Sequence, residues 1–424
     1  MQKWFAALLA AASCAATAQA QTGTAALSQP MPALTLDQAI ALAGGAAPSV
    51  EAANQSLAAA RAGRTAAGLR PNPVAQAQVE NIAGSGGYRG LRSAETTIGL
   101  AVPIELGGKR GARVAVANAR LSRAELEAAI AAADIRVAVT ELYIAAVAAE
   151  RRLVVARDQV RIAGDALRAA NVRVRAGRAS PLEEQRANVA RVNAETAAER
   201  AGRLIEAAQA NLARRIGRPI GDALDTGVLD RLPATVSGPT LPHEAAGTLA
   251  LAAADADLAI ADASVRLARA NRVPDLNIGP AVRRLEATND LAAVLSVSVP
   301  IPLFNNGKAA LAEARAQRGR ADALRRATRI DVEQAITTAA AEAANAAIAA
   351  RAASGPALAA AQEAARIARI GYREGKFGQL DLLDAERTLA DTRLAAIEAL
   401  AAYQNARARL ERLTAPVAFN RDTQ

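Results

Sequence analysis

The sequence predicts a mainly α-helical protein that contains four β-strands and is built from one architecture repeated twice. Three observations lead to this fold class. Alanine dominates while aromatic residues make up only 2% of the chain, which is typical of long, closely packed helices rather than of a globular core. Each half of the chain contains two segments of alternating apolar and small or polar residues. The motif Val102-Pro103-Ile104, which ends one such segment, recurs as Val299-Pro300-Ile301, 197 positions later.

The repetition extends over most of the chain. Each Val-Pro-Ile motif is soon followed by glycine and lysine, at Gly108-Lys109 and Gly307-Lys308, and then by a long Ala-rich stretch. The two stretches end at similar motifs, which contain Gly177 in the first half and Gly375 in the second. Because a unit of about two hundred residues is too long for a stacked solenoid, we predict one duplicated architecture.

The predicted boundaries follow from this repetition, with a first repeat of 21–233, a second of 234–413 and a tail of 414–424. The first repeat contains an opening helix of about 36–68, a hairpin of about 73–104, a long helix of 109–175 and a shorter helix of 182–216. The second contains a helix of 243–271, a hairpin of about 274–302, a long helix of 307–373 and a shorter helix of 380–413. A long helix would extend for roughly 100 Å at 1.5 Å per residue, so we expect it to lie beside two short helices set end to end.

The N-terminus has the features of a secretory signal peptide over residues 1–20. Lys3 supplies the positive charge, Trp4 to Ala12 the apolar core, and Ala18-Gln19-Ala20 a small-x-small cleavage site. Cys14 is the one cysteine of the chain and offers an alternative, because its small neighbours resemble a lipidation site that would anchor the protein. No run of roughly 18 apolar residues follows, so no transmembrane helix is predicted.

Composition argues against several classes of function. The net charge is +10, but basic residues alternate with acidic ones along predicted helices and few aromatic rings are available to stack on bases, so no nucleic-acid binding is expected. His243 is the only histidine, which leaves no nucleophile–histidine–acid set, and no catalytic residues are predicted. With Met31 as the other soft donor of the mature chain, no metal site and no cofactor are predicted.

The predicted strands have the length and alternation of membrane-spanning β-strands. From Leu291 to Ile301 every second side chain is apolar and most of the others are small or polar. A soluble sandwich gives the same alternation, but strands of about 9–11 residues in duplicated hairpins after a signal peptide favour a membrane barrel. Four strands cannot close a barrel, and open edges in lipid leave backbone groups unpaired. Three chains would supply twelve strands around a water-filled lumen.

A helix in the wall of a cylinder contacts one neighbour on each side and should carry two apolar seams. Residues 380–413 carry two such seams, one through Leu380 and Leu394 and an offset one through Leu382 and Leu389. An ordinary bundle with one broad stripe is the alternative. The offset between the seams favours the cylinder.

The chain resembles the TolC-type outer-membrane efflux channels over residues 34–413. Five features carry the resemblance, of which the paired tip motifs are the most specific: Leu34 to Ala43, Pro71-Asn72-Pro73, Gly177 to Glu183, Tyr372 to Gly375, and Asp381 to Glu386. The segments Pro103 to Arg110 and Pro302 to Asn306 are similar to the heavy-metal (CzcC-like) branch of that family.

The resemblance implies a homotrimer with a twelve-stranded β-barrel in the outer membrane and a long α-helical barrel that extends into the periplasm. It implies a passive exit duct that docks a periplasmic adaptor (a membrane fusion protein) and an inner-membrane pump of the resistance-nodulation-division type. The branch points to divalent heavy-metal cations as cargo. Residues 217–242 and the tail after Leu413 would form a belt around the tunnel. The alternatives are a periplasmic coiled-coil adaptor and a lipid-anchored structural protein.

The resemblance places the periplasmic entrance at the two tip turns. Gly177, Arg178, Gly375 and Lys376 are the candidates for adaptor docking, and a plain helix–helix turn is the alternative. The matching acidic positions just inside the entrance are Glu183, Asp381 and Asp384. In a trimer these carboxylates would form rings that favour cations, or would hold the entrance closed by pairing with Arg373 or Arg387. For Glu183 and Asp381, complementing the positive end of a helix is the alternative.

Overall fold

A computed structural model describes residues 33–221, 223–232 and 244–417 of the chain. The predicted signal peptide with Cys14, the two soft donors Met31 and His243, and the end of the tail lie outside the described residues. The helices are α1 (Leu36–Ala46), α2 (Pro48–Ala67), α3 (Lys109–Arg175), α4 (Pro181–Ile216), α5 (Leu249–Ala270), α6 (Lys308–Ala352), α7 (Leu358–Arg373) and α8 (Gln379–Leu413). The strands are β1 (Val74–Glu80), β2 (Glu95–Ile104), β3 (Leu276–Leu285) and β4 (Asp290–Ser298).

The helices form a wall in which each long helix lies beside shorter ones. Helix α3 packs against α2, α4, α5 and α8, and α5 and α8 also pack against α6. The short helices meet end to end, since the Leu249 N–H at the start of α5 donates to the Ala415 carbonyl just after α8, at 3.2 Å. This is the arrangement that the helix lengths predict.

The largest apolar core lies halfway along the wall, where the ends of the short helices meet α3. Tyr143 of α3 is fully buried there, and its hydroxyl donates to the Leu34 carbonyl at 2.6 Å. Burial raises the pKa of this hydroxyl to about 12. Leu224 and Leu229, from the described part of the predicted belt, pack into the same core. The belt segment is therefore fastened to α3, which fixes the position of the helix ends.

The sheet is antiparallel and follows chain order, β1-β2-β3-β4. Within the described part of the chain β1 pairs only with β2, and β4 pairs only with β3. Both outer strands therefore present an unpaired edge. Residues 81–94 connect β1 to β2 at the end of the sheet that is remote from the helices.

The register separates an apolar face of the sheet from a face of small and polar residues. Ala77, Ile98, Val282 and Ala293 form one row across the four strands on the apolar face. The exposed fraction of the Ile98 side chain is 64%, and Leu295 on the same face is 71% exposed. On the opposite face a Cβ added to Gly99 would lie 2.4 Å from the Ala281 Cβ. The crowding is what a sheet curved towards its polar face produces, with the apolar face outside.

The structure shifts the bounds of several predicted elements, and it divides the opening helix into α1 and α2 just before Pro48. Helix α5 begins at Leu249 rather than at 243, because the Thr248 hydroxyl accepts a hydrogen bond from the Leu251 N–H and caps the helix there. Strand β4 ends at Ser298, before two prolines that cannot donate to a ladder. The second long helix is interrupted by one π-helical turn, Ala353–Ala357, around Pro356. The sequence predicts a break at this place, at the pair Gly355-Pro356. Among the described residues, none of the helices is long and apolar enough to cross a membrane.

Candidate functional site at the helical tips

The two tip turns have the same backbone geometry. Gly177 and Gly375 adopt φ values of +68° and +71°, in the left-handed region that favours glycine. The Arg178 N–H donates to the Arg173 carbonyl at 2.9 Å, and the Lys376 N–H donates to the Gly371 carbonyl at 2.7 Å. Each long helix therefore ends in a Schellman motif. The four docking candidates are all exposed at these turns.

Glu183 ties one tip hairpin to the other. Its carboxylate accepts a hydrogen bond from the Tyr372 hydroxyl at 3.3 Å and lies 3.8 Å from the Arg173 guanidinium. The same guanidinium lies 5.2 Å from the centre of the Tyr372 ring, within reach of a cation–π contact. The Gln379 side-chain amide also donates to the Glu183 carbonyl, at 3.2 Å. Glu183 thus joins α3, α4, α7 and α8 at the tip.

Asp381 and Asp384 have different surroundings although they share a helix. The Asp381 carboxylate accepts a hydrogen bond from the Gly378 N–H at 2.9 Å and so caps the start of α8. Asp384 is exposed and makes no hydrogen bond or ion pair with other described residues. Of the two, Asp384 is the carboxylate that is left available for ions or for another chain.

The two candidate arginines lie near these carboxylates but do not pair with them among the described residues of one chain. Arg387 is exposed and lies 3.7 Å from Asp391, one turn further along α8. Arg373 is exposed and lines a cavity of about 450 Å³ between α3, α7 and α8. Within one chain the ionic partner of Glu183 is Arg173 instead.

The tip also contains an ion pair that the sequence analysis did not single out. Arg369 of α7 forms a bidentate ion pair with Glu386 of α8, in which Arg369 Nη2 donates to Glu386 Oε2 at 2.7 Å. The Glu386 side chain is only 4% exposed. The hydrogen bond with Glu386 raises the pKa of Arg369. A signal was present, because Glu386 lies between Leu382 and Leu389 on a predicted apolar seam, where a charge requires a partner.

A second missed ion pair fastens α8 to α3. Arg393 donates to Asp158 at 2.8 Å, and Arg161 donates to the same carboxylate from α3 at 2.5 Å. Burial acts to raise the pKa of Asp158, but the two arginines outweigh it, and the pKa is lowered from 3.8. Ionic contacts thus join the helices at the tip and along the wall behind it, and Arg161, Arg369 and Glu386 from these contacts line the cavity of about 450 Å³.

A further cluster lies where the strands become helices. Lys109 donates to Asp275 at 2.7 Å, and the Leu106 N–H donates to the same carboxylate oxygen at 3.2 Å. Arg113 pairs with Glu105 beside them, and its hydrogen bond lowers the pKa of that carboxyl. These contacts join the end of β2 to the segment that enters β3.

On the polar face of the sheet, an arginine forms ion pairs with carboxylates of two other strands. Arg283 of β3 lies 2.7 Å from Glu95 of β2 and 3.0 Å from Glu80 of β1. No group of three or more histidine, cysteine, aspartate or glutamate side chains that could hold a metal occurs in residues 33–221, 223–232 and 244–417. A curved sheet with an apolar outside and a polar inside, continued by a long helical wall with an ionic tip, has the architecture of a channel.

Comparison with known proteins agrees with this architecture. The family described as "Outer membrane efflux protein" matches residues 35–218 and 242–415. The chain belongs to this family of outer-membrane efflux channels, which lie in the cell outer membrane and extend into the periplasm, and which are not enzymes. The fold class predicted from the sequence, a helical barrel with a β-barrel portion, is confirmed.

Two curated relatives and one solved structure indicate where the chain lies within the family. It is 30% identical to the cobalt-zinc-cadmium resistance protein CzcC of Cupriavidus metallidurans over 403 residues, which cover 94% of this chain and 95% of CzcC. It is 33% identical to the nickel and cobalt resistance protein CnrC of the same organism, over 73% of each chain. The crystal structure of CusC superposes with a TM-score of 0.72 at 17% identity, covering 89% of this chain and 91% of CusC. The predicted heavy-metal branch of the family is thereby confirmed.

Proposed function

We propose that three copies of this chain form a passive exit duct for divalent heavy-metal cations, which receives its cargo from a periplasmic adaptor and an inner-membrane pump. The observation that carries the proposal is the sheet with two unpaired edges and an exposed apolar face. Unpaired backbone groups cannot remain in the hydrocarbon of a bilayer. Pairing β4 of one copy with β1 of the next satisfies both edges, and three copies give a closed barrel of twelve strands.

The helical wall supports the same assembly. Within one chain α8 packs against its own hairpin partner α7 and against α3. Its counterpart α4 packs against its hairpin partner α3, and on its outer side Val189 and Leu204 are 59% and 60% exposed. At the other edge of the wall Ile348 is 56% exposed and Ile367 is 47% exposed. Two different apolar edges make a head-to-tail contact, which closes into a ring.

The tip supports the docking and gating part of the proposal. Gly177, Arg178, Gly375 and Lys376 present backbone and two cations at the outermost turns, where an adaptor hairpin would meet them. Asp384 would form a ring of three carboxylates that favours cations over anions. Glu183 and the ionic contacts around it would hold the entrance narrow at rest. The proposed metal cargo rests on the names of the relatives, and the tunnel would conduct metals without binding them tightly.

Conductance across a planar bilayer tests the duct. The purified protein is expected to form pores with a low resting conductance and a preference for cations. The Asp384→Ala variant should lose part of that preference, while a matched variant of an exposed carboxylate on α4, Glu206→Ala, should keep it. If Asp384→Ala leaves both the resting conductance and the permeability ratio unchanged, this residue has neither a gating role nor a filter role. The absence of any pore would contradict the duct itself.

Metal tolerance tests the cargo. Cells that lack their own channel, but contain the cognate adaptor and pump, should regain tolerance of zinc, cobalt or cadmium when they express this chain. Tolerance of an organic dye serves as the comparison. Recovery of dye tolerance alone would contradict a metal cargo and leave the duct in place.

A further inference from the structure

The chain contains two versions of the junction where strands become helices, and they differ in chemistry. In the first, the loop of residues 105–108 after β2 lies beside the linker of residues 271–275 that enters β3. Lys109 and the Leu106 N–H both donate to Asp275, at 2.7 Å and 3.2 Å. This junction joins the first repeat to the second within one chain.

The second junction is only half built within one chain. The loop of residues 299–307 follows β4, and on one side it meets its own linker, where Arg272 donates to the Asn306 carbonyl at 3.2 Å. Its apolar side chains are exposed, with Leu303 at 77% and Phe304 at 102%. The loop has two more residues between Ile301 and Lys308 than the first loop has between Ile104 and Lys109. The longer loop is therefore the one that exposes an aromatic ring.

The linker of residues 68–74, which enters β1, has a matching apolar surface. Leu69 is 64% exposed and Val74 is 55% exposed, and the prolines between them are exposed as well. The duplication aligns Val74 with Asp275, since each directly follows the proline that precedes a strand. It also aligns Lys308 with Lys109. Where the first junction has a lysine and a carboxylate, the second has a lysine and a valine.

We propose that the loop 299–307 of one copy packs against the linker 68–74 of the next copy, with Leu303 and Phe304 covering Leu69 and Val74. The proposal rests on the ring proposed above, in which β4 pairs with β1 of the neighbour as β2 pairs with β3 within one chain. That pairing brings the loop after β4 beside the neighbour's linker. Within one copy Asp275 pairs with Lys109, but the linker 68–74 has Val74 at the aligned position. The contact between copies is therefore apolar.

Disulfide cross-linking of the full chain in mild detergent tests this contact. The variant L69C with F304C, in a background in which Cys14→Ser removes the chain's one cysteine, should give reducible species of two and three covalently joined copies on a denaturing gel. The matched control is L91C with F304C. Leu91 is equally exposed, at 66%, but lies in the connection between β1 and β2 at the remote end of the sheet. The control should give no cross-linked copies.

The outcomes separate this contact from the duct itself. A protein that has the mass of three copies and conducts ions, but shows no L69C–F304C cross-link, would overturn the contact and leave the duct standing. A protein that remains monomeric would overturn both. A separate variant, F304W, reports whether the loop lies in the bilayer. If brominated lipid quenches the fluorescence of F304W and the L69C–F304C variant gives no cross-link, the loop lies in the bilayer and the contact is overturned.

Association of the copies provides a second test. Phe304→Ala should lower the fraction of trimer at a fixed protein concentration by about tenfold, because an aromatic anchor is lost from the centre of the contact. Adding Val74→Asp to that variant should recover part of the loss, because Lys308 would then meet a carboxylate as Lys109 meets Asp275. An unchanged trimer fraction in Phe304→Ala would contradict the proposal.

Discussion

The two repeats share a backbone plan but fasten their tips differently. In the second repeat Arg369 and Glu386 form an ion pair between α7 and α8 in which the carboxylate is buried and the guanidinium is partly exposed. The same positions of the first repeat, counted from the tip glycines, are held by Asn171 and Asn188. Among the residues that the structure describes, the Asn171 side-chain oxygen is buried without a hydrogen-bond partner, and Asn188 accepts a hydrogen bond from Arg191 on its own helix. At these aligned positions the second hairpin therefore has an ion pair between its two helices, and the first hairpin has two asparagines that do not bond to each other.

The long helices also differ, and here the first repeat is the more regular one. Helix α3 runs without interruption from Lys109 to Arg175, whereas the second long helix is divided by the π-helical turn Ala353–Ala357. A π-helical turn around a proline weakens the local hydrogen-bond ladder. The second hairpin thus has an ion pair near its tip, but it is joined to the wall through a segment with weaker backbone hydrogen bonding. Duplication conserves the geometry, while side-chain changes make the second hairpin differ from the first both near its tip and along its long helix.

The largest effect is expected when the ion pair between Arg369 and Glu386 is removed. Glu386→Ala leaves Arg369 without its partner and should cost about 2 kcal/mol of local stability, since hydrogen bonds to a charged group contribute roughly 1.5–3 kcal/mol and the partly exposed Arg369 can be hydrated. Hydrogen exchange of α7 and α8 measures the loss. The matched variant of the first repeat, Asn188→Ala, should change exchange of α4 by less than about 1 kcal/mol. Equal effects in the two repeats would contradict the asymmetry.

The tip glycines should respond alike in both repeats, because their backbone geometry is the same. Gly177→Ala and Gly375→Ala each place a Cβ in the left-handed region, at a cost of about 1 kcal/mol. Thermal unfolding of the two single variants should show similar shifts. A shift in only one of them would mean that the two turns are not equivalent.

The sequence predicts local pattern better than contacts between distant segments. The strands, the long helices and the tip turns follow from alternation, composition and glycine positions, which are properties of neighbouring residues. The pair Arg387–Asp391 also obeys a local rule, the spacing of i and i+4 on a helix. The contact between Glu183 and Tyr372 joins residues 189 positions apart, and no local pattern selects that partner.

Acid should weaken the contact between α8 and α3. The pKa of Asp158 is lowered from 3.8 by Arg161 and Arg393, so the contact is complete above pH 3.8 and is lost as the pH falls further through the folded-state pKa. Hydrogen exchange around Arg393, taken relative to its intrinsic rate, should therefore accelerate in the native protein as the pH falls below 3.8. The Asp158→Asn variant should lack this acceleration, and if it keeps the same pH profile, another group is responsible.

The smallest expected effect concerns the π-helical turn. Amides of residues 353–357 should exchange faster than those of residues 155–159, the corresponding part of α3, because the ladder is interrupted only in the second helix. Pro356→Ala should reduce the difference by restoring a donor. Equal protection of the two segments in the native protein would show that the turn does not weaken the second hairpin.

The central claim is that three copies close one barrel, and the mass and shape of the protein in mild detergent test it most directly. Light scattering combined with negative-stain imaging should give a trimer roughly 130–140 Å long, from a helical wall of about 100 Å and a barrel of bilayer height. A monomer or dimer that stays in solution without detergent would contradict the account.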